Sequence, residues 1–292
     1  MAVILKGALV ADAMSKETKE RAEKLKEAGI TPTLAIIRVG ERPGDIFYEN
    51  AVMQCCEKNG IVTRRFLLWG NYEREQLLSI VRQINQDEKI HGCLLFRHLP
   101  IRDDEMAACA LLSPEKDVDG MTPASLMNVF TEQGGGFPPC AAQACMEILR
   151  YFRVELSGKR AAVIGRSLWN GKALSMMLQR ENATVTMCHR KTADIAAACR
   201  NAELLITAAG HPGMIDERFV SPRQIVLDVG ISLDERGNPW GDVRADRAAP
   251  IIGAVTPVPG GVGVVTTAVL ARHVVEAAEK KMPEAGLHNT YA

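Results

Sequence analysis

The sequence has no net charge, no C-x-x-C pair, no G-x-G-x-x-G loop and no apolar run near membrane-spanning length. Lys+Arg and Asp+Glu both count 35. A neutral chain without a basic run is a poor match for nucleic acid or an anionic membrane surface. A spanning helix needs about 20 apolar residues, so no membrane segment is expected. The opening "MAVILKGALVADAMSKETKERAEKL" has too short an apolar segment for a signal peptide and runs into a charged helix, which makes the cytosol the expected location. The eight cysteines sit mostly in apolar company, as in "HGCLLF" and "MAACALL". They read as reduced structural thiols rather than disulfides or zinc ligands, and no metal constellation is expected.

What is present is an alternation of strand and helix. The length of 292 residues favours two domains or one large one. "MSKETKERAEKLKEAGI" is a charged amphipathic helix closed by Gly29, and "PTLAIIRVG" is a buried strand. A helix from Gly44 to Gly60, a strand "IVTRRFLLW", a helix "EREQLLSIVRQINQDEKI" and a strand with loop "HGCLLFRHLP" follow. This spacing predicts an α/β domain with a mostly parallel sheet. "TEQGGGFPPC" (Thr131 to Cys140) breaks the pattern and reads as the edge of a linker. Beyond it, "AAQACMEILRYFR" is a helix, and the strands "AAVIG", "ATVTMC", "AELLITAAG" and "QIVLDVG" form a second α/β series. The last helix, "TTAVLARHVVEAAEKK", is placed to pack back on the first domain, and the tail "MPEAGLHNTYA" is polar and expected to fray.

"KRAAVIGRSLWNGKALSMMLQREN" reads as strand, turn and helix, with Gly165 closing the strand, Ser167 next to it and Gly171 inside the turn. Backbone N–H groups and a helix N-terminus aimed at one point suit a pyrophosphate. With Ser167 in place of a second glycine, the segment alone is equally an ordinary tight turn. The next strand ends in "CHRKT", where an NAD-binding fold carries an acid for the ribose hydroxyls. Arg190 and Lys191 stand there, with Arg166 in the turn, and cations at that point suit a 2′-phosphate, hence NADP. "AAGHPG" (Ala208 to Gly213, with Gly210) and "LDVGI" (Leu227 to Ile231) each close a strand with glycine. After a phosphate turn they are expected to wall a cofactor crevice.

Four stretches carry a resemblance: "PEKDVDGM" (Pro114 to Met121), "VIGRS" (Val163 to Ser167), "DVGI" (Asp228 to Ile231) and "TPVPGGVG" (Thr256 to Gly263). From about Val3 to Glu279 the chain resembles the bifunctional methylenetetrahydrofolate dehydrogenase/methenyltetrahydrofolate cyclohydrolase family. The resemblance implies an N-terminal α/β folate domain, a Rossmann-like NADP domain and a cleft between them. The expected division is 1–138 plus 264–292 for the folate-binding catalytic domain and 139–263 for the NADP domain. It implies that Gly165, Arg166, Ser167 and Ile231 contact the dinucleotide, beside Gly171, Arg190 and Gly210 from the reading of the turn and strand ends above. Asp119 would grip the pterin, Tyr48 would stack on or flank it, and Pro259, Gly260 and Gly261 would line the same cleft. A homodimer through the second domain is implied as well.

The chain departs from the family pattern on the folate side. Tyr-x-x-x-Lys becomes Tyr48-Glu49-Asn50-Ala51-Val52, and Phe96 of "LFRHLP" occupies the position of a glutamine. "PCTP" becomes "PCAA" at Pro139 to Ala142, and Val264 stands for a proline. Lys58 lies about 15 Å beyond Tyr48 on the same helix, on another face, and cannot substitute. Arg97 and His98 are expected as loop residues facing solvent. Opening the methenyl ring needs a proton carrier, so cyclohydrolase activity is expected to be weak or lost. Hydride transfer needs only alignment and exclusion of water, so an NADP-dependent dehydrogenase is the leading expectation. A non-catalytic folate or nucleotide binder, or an enzyme turned to another small substrate, stand as alternatives.

Overall fold

The computed structural model describes residues 2–97, 99–233 and 237–282. The chain opens with β1 (Val3–Ile4), α1 (Gly7–Glu27), β2 (Thr33–Val39), α2 (Pro43–Lys58), β3 (Val62–Leu68), α3 (Arg74–Gln86), β4 (Gly92–Leu95) and α4 (Arg102–Leu111). Strands β2, β3 and β4 form a parallel three-stranded sheet in the order β3-β2-β4. β2 is its centre and is buried throughout, as its run of apolar residues predicts.

Two short helices, α5 (Pro123–Thr131) and α6 (Cys140–Tyr151), lead into the second series. This comprises β5 (Arg160–Ile164), α7 (Ala173–Arg180), β6 (Thr184–Cys188), α8 (Ile195–Arg200), β7 (Leu204–Thr207) and β8 (Ile225–Asp228). A hairpin of β9 (Ser232–Leu233) and β10 (Pro239–Trp240), then α9 (Ala245–Ala248), β11 (Ala254–Val255) and α10 (Val262–Glu279), complete it. The larger sheet has the order β1-β11-β8-β7-β5-β6, with every pairing parallel. β6 leaves β5 on one side and β7 joins it on the other, so the strand order reverses at β5, where open α/β sheets bind ligands.

Two features depart from the expected layout. Val3 and Ile4 pair with Ala254 and Val255, so the first strand of the chain adds to the edge of the larger sheet. α1 begins at Gly7, seven residues before the expected helix. A Cβ at Gly7 would lie 2.0 Å from the Gly261 carbonyl oxygen, and the Gly7 N–H donates to the Gly260 carbonyl at 2.9 Å. The glycines of "PVPGGVG" thus let α1 and α10 start side by side. α10 then runs back along α1 and α6, as expected, where Arg21 reaches Glu279 at 2.6 Å and Arg272 reaches Glu147 at 2.9 Å. Seven of the eight cysteines are buried and Cys55 is half-buried; all are free thiols.

Candidate active site

A cavity of about 540 Å³ opens where the C-terminal ends of β4, β5, β7 and β8 face one another. One wall is built from the first unit: Asp45 and Tyr48 on α2, Phe96 and Arg97 after β4, and Asp119 in the "KDVDG" loop. The facing wall carries Ser167, Trp169 and Asn170 from the turn after β5, Ala208 to Gly210 after β7, and Val229 to Ile231 after β8. The first turns of α6 and α10 close the floor, with Cys140, Val262, Gly263 and Thr266.

α2 is fixed on the sheet by Glu49, a buried carboxylate that binds Arg38 of β2 and Arg65 of β3. That pairing turns the preceding residue, Tyr48, toward the cavity, where its ring meets Phe96 edge-on at 5.8 Å between centroids. Burial, and then the Asp119 charge, push the Tyr48 hydroxyl well above the ordinary tyrosine range. Val52, one turn further on, is buried in the core with Phe96 and is not a lining residue.

The "KDVDG" loop is built from inside. Lys116 donates to the carbonyls of Ile84, Asn85 and Asp87 and so closes the end of α3. Asp117 accepts from the Met121 and Thr122 N–H groups and the Ser125 hydroxyl, which ties the loop to the start of α5. Asp119 is left to face the cavity, 7% exposed. Burial raises its pKa, and the Arg97 guanidinium opposes that rise.

Arg97 corrects the expectation of a solvent-facing loop residue. Its Nη2 lies 3.6 Å from Asp119 Oδ2, and its guanidinium carbon sits 4.6 Å above the Trp169 ring. A carboxylate on one side and an aromatic face on the other offset what the cation loses by leaving water. Arg42 donates to the Arg97 carbonyl at 2.9 Å, which anchors the backbone. His98 lies outside the described residues.

On the nucleotide side, the turn 168–172 is a single π-helical turn. The Lys172 N–H donates to the Ser167 carbonyl, and Ser167 Oγ accepts from the Asn170 N–H. Gly165 has φ of +121°, and a Cβ there would lie 2.6 Å from the Ala208 carbonyl oxygen. Gly171 allows a similarly close approach to the Gly165 carbonyl. These two glycines shape the turn from behind and are not lining residues. Two buried carboxylates shape the opposite loops. Asp242 accepts from the N–H groups of Ala209, Gly210 and His211 and from the Thr207 hydroxyl. Asp228 accepts from the N–H groups of Gly230, Asp242 and Val243, while burial raises its pKa to about 6. A Cβ at Gly230 would strike the Asp242 carboxyl group, and one at Gly241 would strike that of Asp228.

Arg166 and Arg190 lie outside the cavity, exposed, each two residues past the paired ends Ile164 and Cys188 of β5 and β6. Neither makes an ion pair among the described residues. The structure therefore brings Tyr48, Asp119, Ser167, Gly210 and Ile231 together in the cavity. Gly165, Gly171, Arg166 and Arg190 stand behind or beside it. Pro259, Gly260 and Gly261 adjoin the floor, which is lined by Val262, Gly263 and Thr266, and Gly260 and Gly261 meet Gly7. Asp45, Arg97, Trp169, Asn170, Thr266 and the supporting Asp242 were missed from the sequence. Of these only Trp169, a large aromatic inside a glycine turn, left a local signal.

Residues 5–119 match the family model for the tetrahydrofolate dehydrogenase/cyclohydrolase catalytic domain, and residues 139–282 that for its NAD(P)-binding domain. The chain belongs to the tetrahydrofolate dehydrogenase/cyclohydrolase family. It is 44% identical over 281 residues to the bifunctional protein FolD of Carboxydothermus hydrogenoformans, covering 96% of this chain and 98% of that one. Its structure is similar to that of the bifunctional FolD enzyme from Campylobacter jejuni, with a TM-score of 0.92 and 33% identity over 97% of this chain and all of the other. The Trypanosoma brucei FolD structure, described as a complex with NADP and an inhibitor, matches with a TM-score of 0.90 and 32% identity over 96% and 98%. The two halves of the family pattern thus meet across one cavity, the catalytic domain supplying Tyr48 and Asp119, and the NAD(P)-binding domain Ser167, Gly210 and Ile231. Among the described residues no helix is long and apolar enough to cross a membrane.

Proposed function

We propose that the chain is an NADP-dependent 5,10-methylenetetrahydrofolate dehydrogenase whose cyclohydrolase activity is weak or lost. The observation that carries this reading is the composition of the cavity. Its folate wall holds an acceptor, Asp119, and an aromatic pair, Tyr48 and Phe96, while the positions expected to move protons hold buried valine and phenylalanine. An ionised carboxylate accepts two N–H bonds at once, which suits the pterin amidine and fixes the ring.

The dinucleotide side fits NADP by the chemistry of its donors. Arg166 and Arg190 are unpaired cations at adjacent strand ends, suited to a 2′-phosphate, and Asn170 Oδ1 is buried in the wall with no partner among the described residues. Bound there, NADP would supply the hydride acceptor. Ser167, Gly165 and Gly171 would hold the diphosphate over the turn. The loops fixed by Asp228 and Asp242 would wall the nicotinamide, and Tyr48 with Phe96 would keep water from the methylene carbon. The nitrogens flanking that carbon stabilise the cation left behind, so no side chain has to take a proton. Hydration and ring opening do require one, and Val52 and Phe96 cannot carry it. The same reading includes the division into 1–138 plus 264–292 and 139–263, a cytosolic location and a homodimer.

The test is an absorbance assay with 5,10-methylenetetrahydrofolate and NADP. Formation of NADPH and methenyltetrahydrofolate in equal amounts is expected. Tight binding of both ligands by calorimetry without product would replace this reading with a non-catalytic binder. NADP binding without binding of any reduced folate would point to another substrate.

A further inference from the structure

Arg97 is the sole cation among the described residues that line the cavity, and nothing in the local sequence pattern requires it there. Its guanidinium is held from two directions, by Asp119 and by the Trp169 ring, and its backbone is anchored by the bond from Arg42 to its carbonyl. Arg42 is in turn paired to Asp45, another lining residue, at 2.8 Å. Trp169 is itself fixed, since its indole N–H donates to the Met121 carbonyl across the cleft at 3.3 Å. The cation therefore stands at one place, between the pterin acceptor and the nucleotide turn.

We propose that Arg97 is the positioning residue of the folate subsite, a permanent positive charge that keeps Asp119 ionised and aimed so that it can accept two N–H bonds from a pterin. This rests on the folate reading of the site. The groups that face Asp119 explain why such a charge is required. Asp117 lies on its own loop, Tyr48 on α2, Cys93 on β4, Cys109 on α4 and Cys140 on α6. Not one of these is a cation, and all are buried or half-buried. Arg97 is the charge that opposes protonation of the carboxylate, and the Cys140 thiol acts in the same direction. A guanidinium also remains charged throughout the working pH range and carries no proton that it can give up. It thereby restores charge to a site without restoring general acid–base chemistry, in keeping with a dehydrogenase that does not hydrolyse.

The experiment is calorimetric titration of 5-formyltetrahydrofolate, a stable reduced folate, against the full chain and two variants between pH 5 and 8. In Arg97→Leu the pH below which folate affinity falls is expected to move up by about one to three units, the effect of losing an opposite charge at this range. Arg97→Lys keeps the charge and is expected to hold that limb within about half a unit of the unmodified protein, a rescue that mere packing would not give. A leucine variant whose limb coincides with that of the unmodified protein overturns the proposal, as does a lysine variant that behaves like leucine. A protein that binds 5-formyltetrahydrofolate at no pH overturns both this and the folate reading. Folate binding with an unmoved limb overturns Arg97 alone.

Discussion

Asp119 faces the cavity and Arg190 lies outside it beyond β6, and each makes a separable prediction. Asp119→Asn keeps the shape but replaces one of two acceptor oxygens with a donor, so one pterin N–H meets another N–H. The loss of a charge-assisted bond, about 1.5–3 kcal/mol, is expected to raise the folate KM by roughly 10- to 150-fold while NADP affinity stays the same. Steady-state kinetics in both substrates check it. Arg190→Ala removes a free cation beyond β6 and is expected to raise the KM for NADP by about tenfold, with the KM for NAD little changed. Asp119 was expected in the site only through the family resemblance, since an aspartate in a loop such as "KDVDG" reads by itself as a turn residue or cap. Arg97 was not, because a side chain just past a strand end takes its direction from distant partners, here Asp119 and Trp169, that no local period encodes.

At the scale of elements, α10 does more than cover the sheet. His273, 2% exposed on this helix, stacks on Phe137 and lies 2.9 Å through Nδ1 from the Val118 carbonyl, next to Asp119. A carbonyl only accepts, so Nδ1 carries the proton, and the Cys140 thiol donates to the same oxygen at 3.1 Å. Burial lowers the His273 pKa from 6.5 to about 4. The folded value lies below the unfolded one, so the neutral imidazole contributes its stability above pH 6.5 and loses it as pH falls toward 4. A shift of this size corresponds to roughly 3 kcal/mol. Urea unfolding is expected to show that loss in the native chain and a flatter profile in His273→Gln, which keeps an N–H donor without a titrating group. The long elements around this helix were readable from apolar periodicity, and β2, β3, β5 and α3 fall where the pattern puts them. The failures have physical reasons. β1 and β11 span two residues each, too few for any alternation to register. α4 and α5 are short helices whose opening turns, rich in acid at Asp103 to Glu105 and capped by Thr122 before Pro123, look like loop in composition alone.

On the scale of the whole molecule, the cavity exists because two parallel sheets present their C-terminal ends to each other. Side chains of the second unit hold the gap at a fixed width. Trp169 bonds the Met121 carbonyl, and Arg180 bonds the carbonyls of Asn128 and Val129 and the carboxylate of Glu132. The fold class was legible because strand–helix alternation has a local signature, and the cleft between the domains was expected from the family resemblance. The pinning across the cleft was not, because it depends on contacts between residues far apart in the chain. The cavity pairs the loops after β5, β7 and β8 with a catalytic-domain wall that holds a fixed cation, Arg97, and no lysine among its described lining residues. The most direct measurement is the rate at which the purified chain hydrolyses methenyltetrahydrofolate supplied alone, beside Val52→Lys/Phe96→Gln. The account predicts a rate at or barely above spontaneous hydrolysis for the native sequence and a clear gain in the double variant. Hydrolysis by the unmodified chain as fast as that by the double variant would contradict it.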